Sequence, residues 1–299
     1  SAADELILSF IENEEVPKTS ITVLNDRFGF LSSILHQKDI FPIVEYRSQE
    51  KAIRANFIAN FVPYSEANFK TIFEIPKEME LALVKVPKSL NLFEMYLAQI
   101  SESLSENGTV ICGFMTRNFS PKMVEIASKY FETIQQSKAE KKARLMILKN
   151  PIKTEKQDFL NTLEYNGSKF KQYFGVFSSN NIDYATQFLL DHLEINKTEN
   201  NILDLASGNG IIASFVRSKQ PDAEIHLIED SFLAIESSKL NVSDENTFHH
   251  YNDALEEFQN NFFDLIITNP PFHFEFETNI DVSLQLFKEA KRVLGKGGR

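Results

Sequence analysis

The 299 residues, 42% of them hydrophobic, are enough for two domains with a core each. The single cysteine, Cys112, excludes an intramolecular disulfide framework and indicates a reducing compartment, and no apolar stretch approaches the roughly 18 residues of a membrane span. The net charge of −11 disfavours phosphate binding over the whole surface, and six scattered histidines lack metal-ligand spacing. We expect a cytoplasmic, monomeric protein with no metal and no membrane partner.

The first half of the chain begins with an acidic amphipathic helix pattern over residues 1–15. Short apolar strands are predicted around 21–24, 43–45 and 83–87. Residues 1–150 carry 18 basic and 19 acidic side chains, whereas residues 151–299 carry 13 and 23. The acidity therefore lies mainly in the second half.

A basic segment closes the first half. Residues 138–156 contain seven basic and two acidic side chains, an excess of +5 (7 − 2), and the basic residues include Lys138, Lys141, Lys142 and Arg144. Such a cluster is a candidate track for the phosphates of a nucleic acid. An ordinary solvated segment near a domain boundary is an equally good interpretation.

The second half opens with a hairpin signal. Asn166-Gly167 lies between the apolar stretches 159–165 and 169–174, and this dipeptide is typical of a two-residue hairpin turn. The domain boundary is therefore expected near Asn150-Pro151, which divides the chain into domains 1–150 and 151–299.

An apolar strand, 201–205, then runs into a glycine turn and a helical pattern that starts at Ile211. This succession lets backbone N–H groups approach a cofactor closely. The candidate cofactor-binding residues of this segment are Asp204, Ala206, Gly208, Asn209 and Gly210.

Two further strands end in acidic residues. The strand 224–228 leads to Glu229-Asp230, 19 residues after Gly210 (229 − 210), a distance at which an acid accepts hydrogen bonds from a ribose diol. The short strand 248–252 is followed by Asp253, which is placed to accept from an adenine amino group.

A rigid turn follows the last apolar run, 262–268. It consists of Asn269, Pro270, Pro271 and Phe272. Each proline fixes its own φ and removes a backbone donor, which leaves a stiff turn rich in acceptors. The Asn269 side-chain oxygen and the Pro270 carbonyl can orient a planar amino group, and Phe272 can stack on its ring, so the turn indicates an N-methyltransferase. The alternative is a strand-ending proline turn with a core phenylalanine.

Together these motifs resemble class I S-adenosylmethionine-dependent methyltransferases. Residues 269–273, Asn-Pro-Pro-Phe-His, resemble the ribosomal RNA guanine-N2 methyltransferases. The segments 24–29, 85–88 and 141–145 resemble the large-subunit branch of that family more than the small-subunit branch. The resemblance implies S-adenosylmethionine as cofactor and a guanine of 23S ribosomal RNA, naked or partly assembled, as substrate.

The resemblance also implies roles for individual residues. Segment 175–183 resembles the family's stretch ahead of the glycine turn, so Phe177, Ser178 and Asp183 would help to form the donor and base pocket. Glu229 would hold the donor's ribose and Asp253 its adenine, while Asp204 would support the glycine turn. Phe272 would stack on a guanine flipped out of the RNA.

Ala206 departs from the family pattern, which has glycine at this position. Because alanine without strain needs a negative φ, we expect either a slightly wider turn or a position that never required positive φ.

The two halves also match each other. Gly29 and Gly210, Glu45 and Glu229, and Pro87 and Pro270 are separated by 181, 184 and 183 residues. We therefore expect an α/β fold of two tandem Rossmann-like class I methyltransferase domains. The first is a degenerate copy that positions RNA. The family pattern has three more strands after the helix 280–294, so the second domain is expected to lack its last strands.

Three alternatives remain open. The same turn occurs in methyltransferases of adenine N6, cytosine N4 and protein glutamine, and the small-subunit (16S) guanine enzymes share the whole pattern. Ala206 and the expected missing strands also fit an RNA-binding module without catalysis.

Overall fold

The computed structural model describes residues 1–13, 20–177, 181–269 and 280–299. The chain forms two compact units, Ser1–Gln157 and Asp158–Arg299. Within the described ranges no helix is long and apolar enough to cross a membrane.

The first unit is a mixed six-stranded sheet in the order β2-β1-β3-β4-β6-β5, covered by helices. Strands β2, β1, β3 and β4 are parallel, and β6 runs antiparallel to both β4 and β5. The elements are α1 (Ala2–Asn13), β1 (Ser20–Leu24), α2 (Phe30–Ile34), β2 (Asp39–Ile43), α3 (Arg47–Ala59), β3 (Met79–Lys85), α4 (Leu90–Ser103), β4 (Leu104–Met115), α5 (Pro121–Tyr130), β5 (Phe131–Gln136) and β6 (Ala143–Pro151).

The parallel strands of this unit are nearly continuous apolar runs because both faces of the sheet are covered. The amphipathic pattern predicted at the start of the chain is confirmed over α1, whose Ile7 and Ile11 are buried against Ile21, Leu83 and strand β4. The contact is so close that a Cβ atom on Gly113 of β4 would lie 2.6 Å from Ile7 Cδ1.

The second unit contains a hairpin and a parallel four-stranded sheet in the order β11-β10-β9-β12. The predicted hairpin is confirmed, with Asn166 (φ 47°) and Gly167 (φ 79°) as its two-residue turn. The elements are β7 (Leu160–Tyr165), β8 (Ser168–Tyr173), α6 (Tyr184–His192), β9 (Asn201–Leu205), α7 (Ile211–Lys219), β10 (Glu224–Glu229), α8 (Phe232–Asn241), β11 (Thr247–Tyr251), β12 (Leu265–Thr268) and α9 (Ile280–Val293).

Alternating side chains of this sheet enter two cores. Ile202, Leu227 and Ile267 pack with α6, α7 and α8 on one face. Leu203 and Phe263 pack on the other face, where α9 covers them. The sheet is therefore enclosed between two helical layers, and only its edges offer backbone and polar side chains to a ligand.

Both units turn in the same way after their first strand. In the first unit Asn25 (φ 59°) and Gly29 (φ 72°) have left-handed backbone conformations, and in the second unit Ala206 (φ 60°) and Gly210 (φ 78°) do. The expectation of a negative φ or a wider turn at Ala206 is therefore wrong. The turn takes the tight form because Ser207 N–H donates to the Ile228 carbonyl of the neighbouring strand (3.1 Å).

Replacing Ala206 with glycine should stabilise the protein by about 1 kcal/mol, because glycine adopts positive φ without the Cβ clash. The urea midpoint of unfolding should rise. The matched reverse change is Gly208→Ala. Gly208 has φ 55°, and no atom lies within 4 Å of the place that a Cβ would take, so alanine there should cost a similar amount through backbone strain alone. An unchanged midpoint for Ala206→Gly would contradict strain at this position.

Candidate active site

Four strand ends meet at one edge of the second sheet. Leu205 of β9 is paired with Ile228 of β10 on one side and with Thr268 of β12 on the other, and Glu229 is paired with Tyr251 of β11. The chain order reverses between β9 and β12. Such a switch point opens a crevice at the carboxyl ends of the strands, where α/β proteins bind ligands.

The glycine turn and the acid at the end of β10 are joined by hydrogen bonds. Glu229 accepts from Gly208 N–H through Oε2 (2.8 Å) and from Ser231 N–H through Oε1 (2.9 Å). Burial raises the pKa of Glu229, and these two donors oppose that rise. The space above the turn is open at Gly208, whereas at Gly210 a Cβ would lie 2.8 Å from Ser238 Cβ. Gly210 is therefore required for close packing against α8, and Gly208 leaves room for a ligand.

Asp204 lies beneath the turn. Its side chain is fully buried, and Oδ2 accepts from Ala213 N–H in the first turn of α7 (3.0 Å). Its Oδ1 accepts no hydrogen bond from the residues that the structure describes. Burial, reinforced by the nearby charge of Glu229, raises the pKa of Asp204 to about 7. The residue thus supports the start of α7 from below.

The hairpin is attached to the glycine turn through residues that the sequence did not single out for this role. Gln172 of β8 accepts from the Asn209 side chain (2.8 Å), and Asn241 of α8 donates to the Asn209 carbonyl (2.8 Å). Asn241 also exchanges two hydrogen bonds with the Lys171 backbone, at 2.8 and 2.7 Å. Asn209 is buried and holds the turn between β8 and α8.

Asn269 follows β12 and is held by the first turn of α6. Its Nδ2 donates to Thr186 Oγ1 (2.9 Å) and approaches Asp183 Oδ1 at 3.4 Å. Thr186 Oγ1 in turn donates to Asp183 Oδ2 (2.6 Å). Because the amide nitrogen faces two acceptors, the other branch of the amide, Oδ1, is the acceptor that Asn269 can offer to a substrate.

Asp183 is the N-cap of α6. It accepts from the backbone N–H groups of Ala185 (3.0 Å) and Thr186 (3.1 Å). Burial alone would raise the pKa of Asp183, but the hydrogen bonds from Thr186, Ala185 and Asn269 hold it below its usual value. A cavity of about 400 Å³ opens beside Asn269 and is walled largely by apolar side chains of α6, among them Phe188 and Leu189.

The two units match known families. Residues 1–154 match the family model described as RLMG N-terminal domain, and residues 167–299 match the model described as Methyltransferase small domain. The chain belongs to the RLMG family. The family resemblance predicted from the motifs is confirmed, and the second unit of this RLMG-family chain is a methyltransferase domain.

Proteins related to this RLMG-family chain align with nearly its whole length. Ribosomal RNA large subunit methyltransferase G of Pseudoalteromonas translucida is 27% identical and that of Photobacterium profundum 28%, each covering 99% of this chain and 81% or 82% of the relative. The solved T. thermophilus 16S rRNA N2 methyltransferase RsmC, in complex with AdoMet and guanosine, has a TM-score of 0.76 at 17% identity. It covers 100% of this chain, which covers 82% of it. The predicted α/β class I methyltransferase fold is confirmed.

The remaining candidate residues are distributed around this edge or lie elsewhere. Asp230 and Asp253 are half-buried in the loops after β10 and β11, and Phe177 is 77% exposed after β8. Ser178, Pro270, Pro271 and Phe272 lie outside the described residues. The basic residues predicted to bind RNA belong to the first unit: Lys138, Lys141 and Lys142 lie in the turn between β5 and β6, and Arg144 is the second residue of β6. The His, Cys, Asp and Glu side chains in the described ranges form no group of three or more suited to a metal ion.

Asp204→Asn should remove a pH dependence of stability in the RLMG-family chain. The folded pKa of Asp204, about 7, exceeds the unfolded value of about 3.9, so the folded state binds more protons between these pH values and stability falls as pH rises through them. Between pH 5 and 8 the free energy of unfolding of the variant should fall by about 2–3 kcal/mol less than that of the wild type.

Urea unfolding at the two pH values measures this difference. The matched control is Asp222→Asn, which changes an exposed acid of the same unit and should leave the pH dependence as it is. Equal pH dependence in Asp204→Asn and wild type would show that Asp204 does not titrate with folding.

Proposed function

We propose that this chain transfers a methyl group from S-adenosylmethionine to the exocyclic N2 amine of a guanine in 23S ribosomal RNA. The observation that carries the proposal is Asn269, held through its amide nitrogen by Thr186 and Asp183 at the switch point beside the glycine turn. The names of the large-subunit relatives support the RNA, and the guanosine-bound structural neighbour supports N2 of guanine.

The glycine turn and Glu229 fit the donor. S-adenosylmethionine supplies an activated methyl group on its sulfonium sulfur. Glu229 would accept hydrogen bonds from the ribose hydroxyls, and the open space above Gly208 would admit the donor against the backbone. Asp253 would accept from the adenine amino group. Asp204 supports the turn from below through Ala213 N–H.

Asn269 orients the amine. Its Oδ1 accepts one hydrogen of the guanine N2 amino group, the Pro270 carbonyl accepts the other, and Phe272 stacks on the flipped base. The nitrogen lone pair would then face the methyl carbon. As the N–C bond forms, the bond from that carbon to the sulfonium sulfur would break and leave S-adenosylhomocysteine, and the nitrogen would then lose one proton to water. Alignment and proximity supply most of the acceleration, so no general base is required.

In this proposal the first unit is a copy of the methyltransferase domain that has lost the catalytic groups and now positions the RNA. Its strands β2-β1-β3 have the same order as β10-β9-β12, and Asn25 and Gly29 reproduce the left-handed turn of Ala206 and Gly210. Where the second unit has Gly208-Asn209, the first has Arg27-Phe28, two bulky residues at the positions where a donor would lie. Lys138, Lys141 and Lys142 of the turn between β5 and β6, together with Arg144 at the start of β6, contribute phosphate contacts.

Asn269→Ala should reduce methyl transfer to ribosomal RNA by about 10²–10³-fold, because the amine loses the acceptor that aligns it. Transfer of labelled methyl and mass spectrometry of the nucleoside product give the measurement. Calorimetry with S-adenosylmethionine is the control and should show donor binding unchanged. Transfer at the wild-type rate would remove Asn269 from the mechanism, and a methylated adenosine or cytidine as product would exclude guanine N2.

Thr186→Val should lower kcat by about tenfold and leave KM for RNA nearly constant, because Asn269 loses the Oγ1 acceptor that fixes its amide. Thr186→Ser keeps the hydroxyl and is the matched control, expected to retain most of the wild-type kcat. Single-turnover kinetics with saturating donor measure the rate of the methyl-transfer step. A serine variant as slow as the valine variant would show that the methyl group, and not the hydroxyl, is what the site needs.

A further inference from the structure

Strand pairing gathers separate segments of the first unit at one edge of its sheet. The loops after β1, β2, β3 and β4 lie at this edge because these strands are parallel. The turn between β5 and β6 joins them, since β6 is antiparallel to β4 and Met115 at the end of β4 pairs with Ala143 at the start of β6. We call this side of the first sheet the carboxyl edge.

The carboxyl edge is rich in basic residues although the whole chain is acidic. Each loop or turn of the edge, counted with the first or last residues of the elements beside it, contributes at least one of them: Arg27, Arg47, Lys85, Lys88, Arg117, Lys138, Lys141, Lys142 and Arg144. Lys138, Lys141, Lys142 and Arg117 are exposed. These residues are spread over more than a hundred positions of sequence, so only strand pairing makes them a continuous surface.

Most acidic residues at the same edge form hydrogen bonds or ion pairs with other residues of the first unit. Asp26 is buried and accepts from the Ser32 backbone and hydroxyl, both at 2.9 Å. Glu45 is buried and accepts from the Tyr96 hydroxyl. Glu5 pairs with Lys141 at 3.2 Å, an exposed pair of little energetic weight. Two of the basic residues are paired with buried acids, Lys85 with Asp4 at 3.1 Å and Arg47 with Glu50, and Glu140 is exposed in the turn between β5 and β6. The exposed charge of the edge is still predominantly positive, because Arg117 and the three lysines of that turn outnumber the exposed acids.

The same edge exposes aromatic rings in the loop that corresponds to the glycine turn of the second unit. Phe28 is 60% exposed and Phe30 42% exposed. The Arg27 guanidinium lies 5.5 Å from the Phe28 ring centroid, and Asn56 donates to the Phe28 carbonyl at 2.6 Å. Two exposed phenylalanines beside arginine on a backbone fixed by hydrogen bonds form a surface on which planar rings can stack.

We propose that the carboxyl edge of the first sheet binds a single-stranded segment of RNA, with phosphates along the basic loops and bases stacked on Phe28 and Phe30. The inference rests on the proposed function, since it concerns the RNA that the second unit would modify. The edge spans five inter-strand spacings of about 4.8 Å, or roughly 24 Å. This length matches about seven phosphates of a stacked strand at about 3.4 Å each. Alternation of aromatic rings and basic side chains is the chemistry that recognises single strands without reading a duplex groove.

The electrostatic half of the proposal is tested by removing three lysines. Lys138→Ala/Lys141→Ala/Lys142→Ala in the full chain is compared with Lys38→Ala/Lys77→Ala/Lys149→Ala. The control lysines are also exposed but lie at the opposite edge, before β2, before β3 and near the end of β6. The probe is a mixed-sequence single-stranded RNA of roughly 16 nucleotides.

Fluorescence anisotropy over a salt series measures affinity. The slope of log K against log salt should become shallower by about 2 for the carboxyl-edge variant, since each lost phosphate contact contributes about 0.7. The control variant has the same net charge and should keep the wild-type slope. Equal slopes for the two variants overturn the proposal, because they would show that only overall charge matters.

The stacking half is tested with a second matched pair. Phe28→Ala/Phe30→Ala is compared with Ile58→Ala/Phe61→Ala, whose side chains are 66% and 95% exposed. These two residues lie at and just after the end of α3, a helix that begins beside the carboxyl edge at Arg47 and runs to the opposite side of the sheet. The edge variant should bind the single strand at least about fivefold more weakly, with the salt slope unchanged because no charge is lost. Unchanged affinity, or the same loss on a duplex RNA of equal length, overturns the stacking role.

These binding measurements need no methyl donor, so their outcome is independent of whether the proposed function is correct. Loss of binding in the edge variants together with no methyl transfer by the wild type would reject the enzyme assignment and keep the RNA surface. Wild-type RNA binding by both edge variants, with methyl transfer intact, would reject the surface and keep the enzyme.

Discussion

Parallel strand pairing in register is the constraint on which both halves of this molecule depend. In the second unit it brings the ends of β9, β10, β11 and β12 to one edge, so that the glycine turn, Glu229 and Asn269 become neighbours. In the first unit it brings five separate basic segments to the equivalent edge. A slip of one residue in any pair would move every side chain of that strand to the opposite face of the sheet, where different helices pack, so the register, and hence the sites, is strongly determined by packing.

Polar side chains at the strand ends of the second sheet form hydrogen bonds with polar groups from elements that are distant in the sequence. Glu229 is tied to the glycine turn, Asn209 to the hairpin and α8, and Asn269 to the cap of α6. A side chain held in this way loses little freedom when a ligand binds, so less of the binding energy is needed to order it. The left-handed backbone at Ala206 is part of the same arrangement, since the tight turn places Gly208 N–H toward Glu229.

Much of the fold and part of the candidate site could be predicted from the sequence. The hairpin at Asn166-Gly167 was predictable because its turn chemistry is local. Glu229 and Asn269 were recognisable because the first ends an apolar strand and the second directly follows one, and strand ends are where α/β sites form. The conformation of Ala206 was predicted wrongly, because intrinsic preference favours negative φ and the neighbouring strand imposes the opposite.

The sequence by itself determined the strands, the helices and the identity of the chemical groups, since hydrophobic periodicity and turn residues act over short distances along the chain. Only the tertiary structure decided that Thr186 holds Asn269, that Gln172 holds Asn209, and that basic residues from Arg27 to Arg144 share one edge. The reason is physical: these contacts join residues far apart in the chain, and nothing in the local pattern at either position encodes the partner.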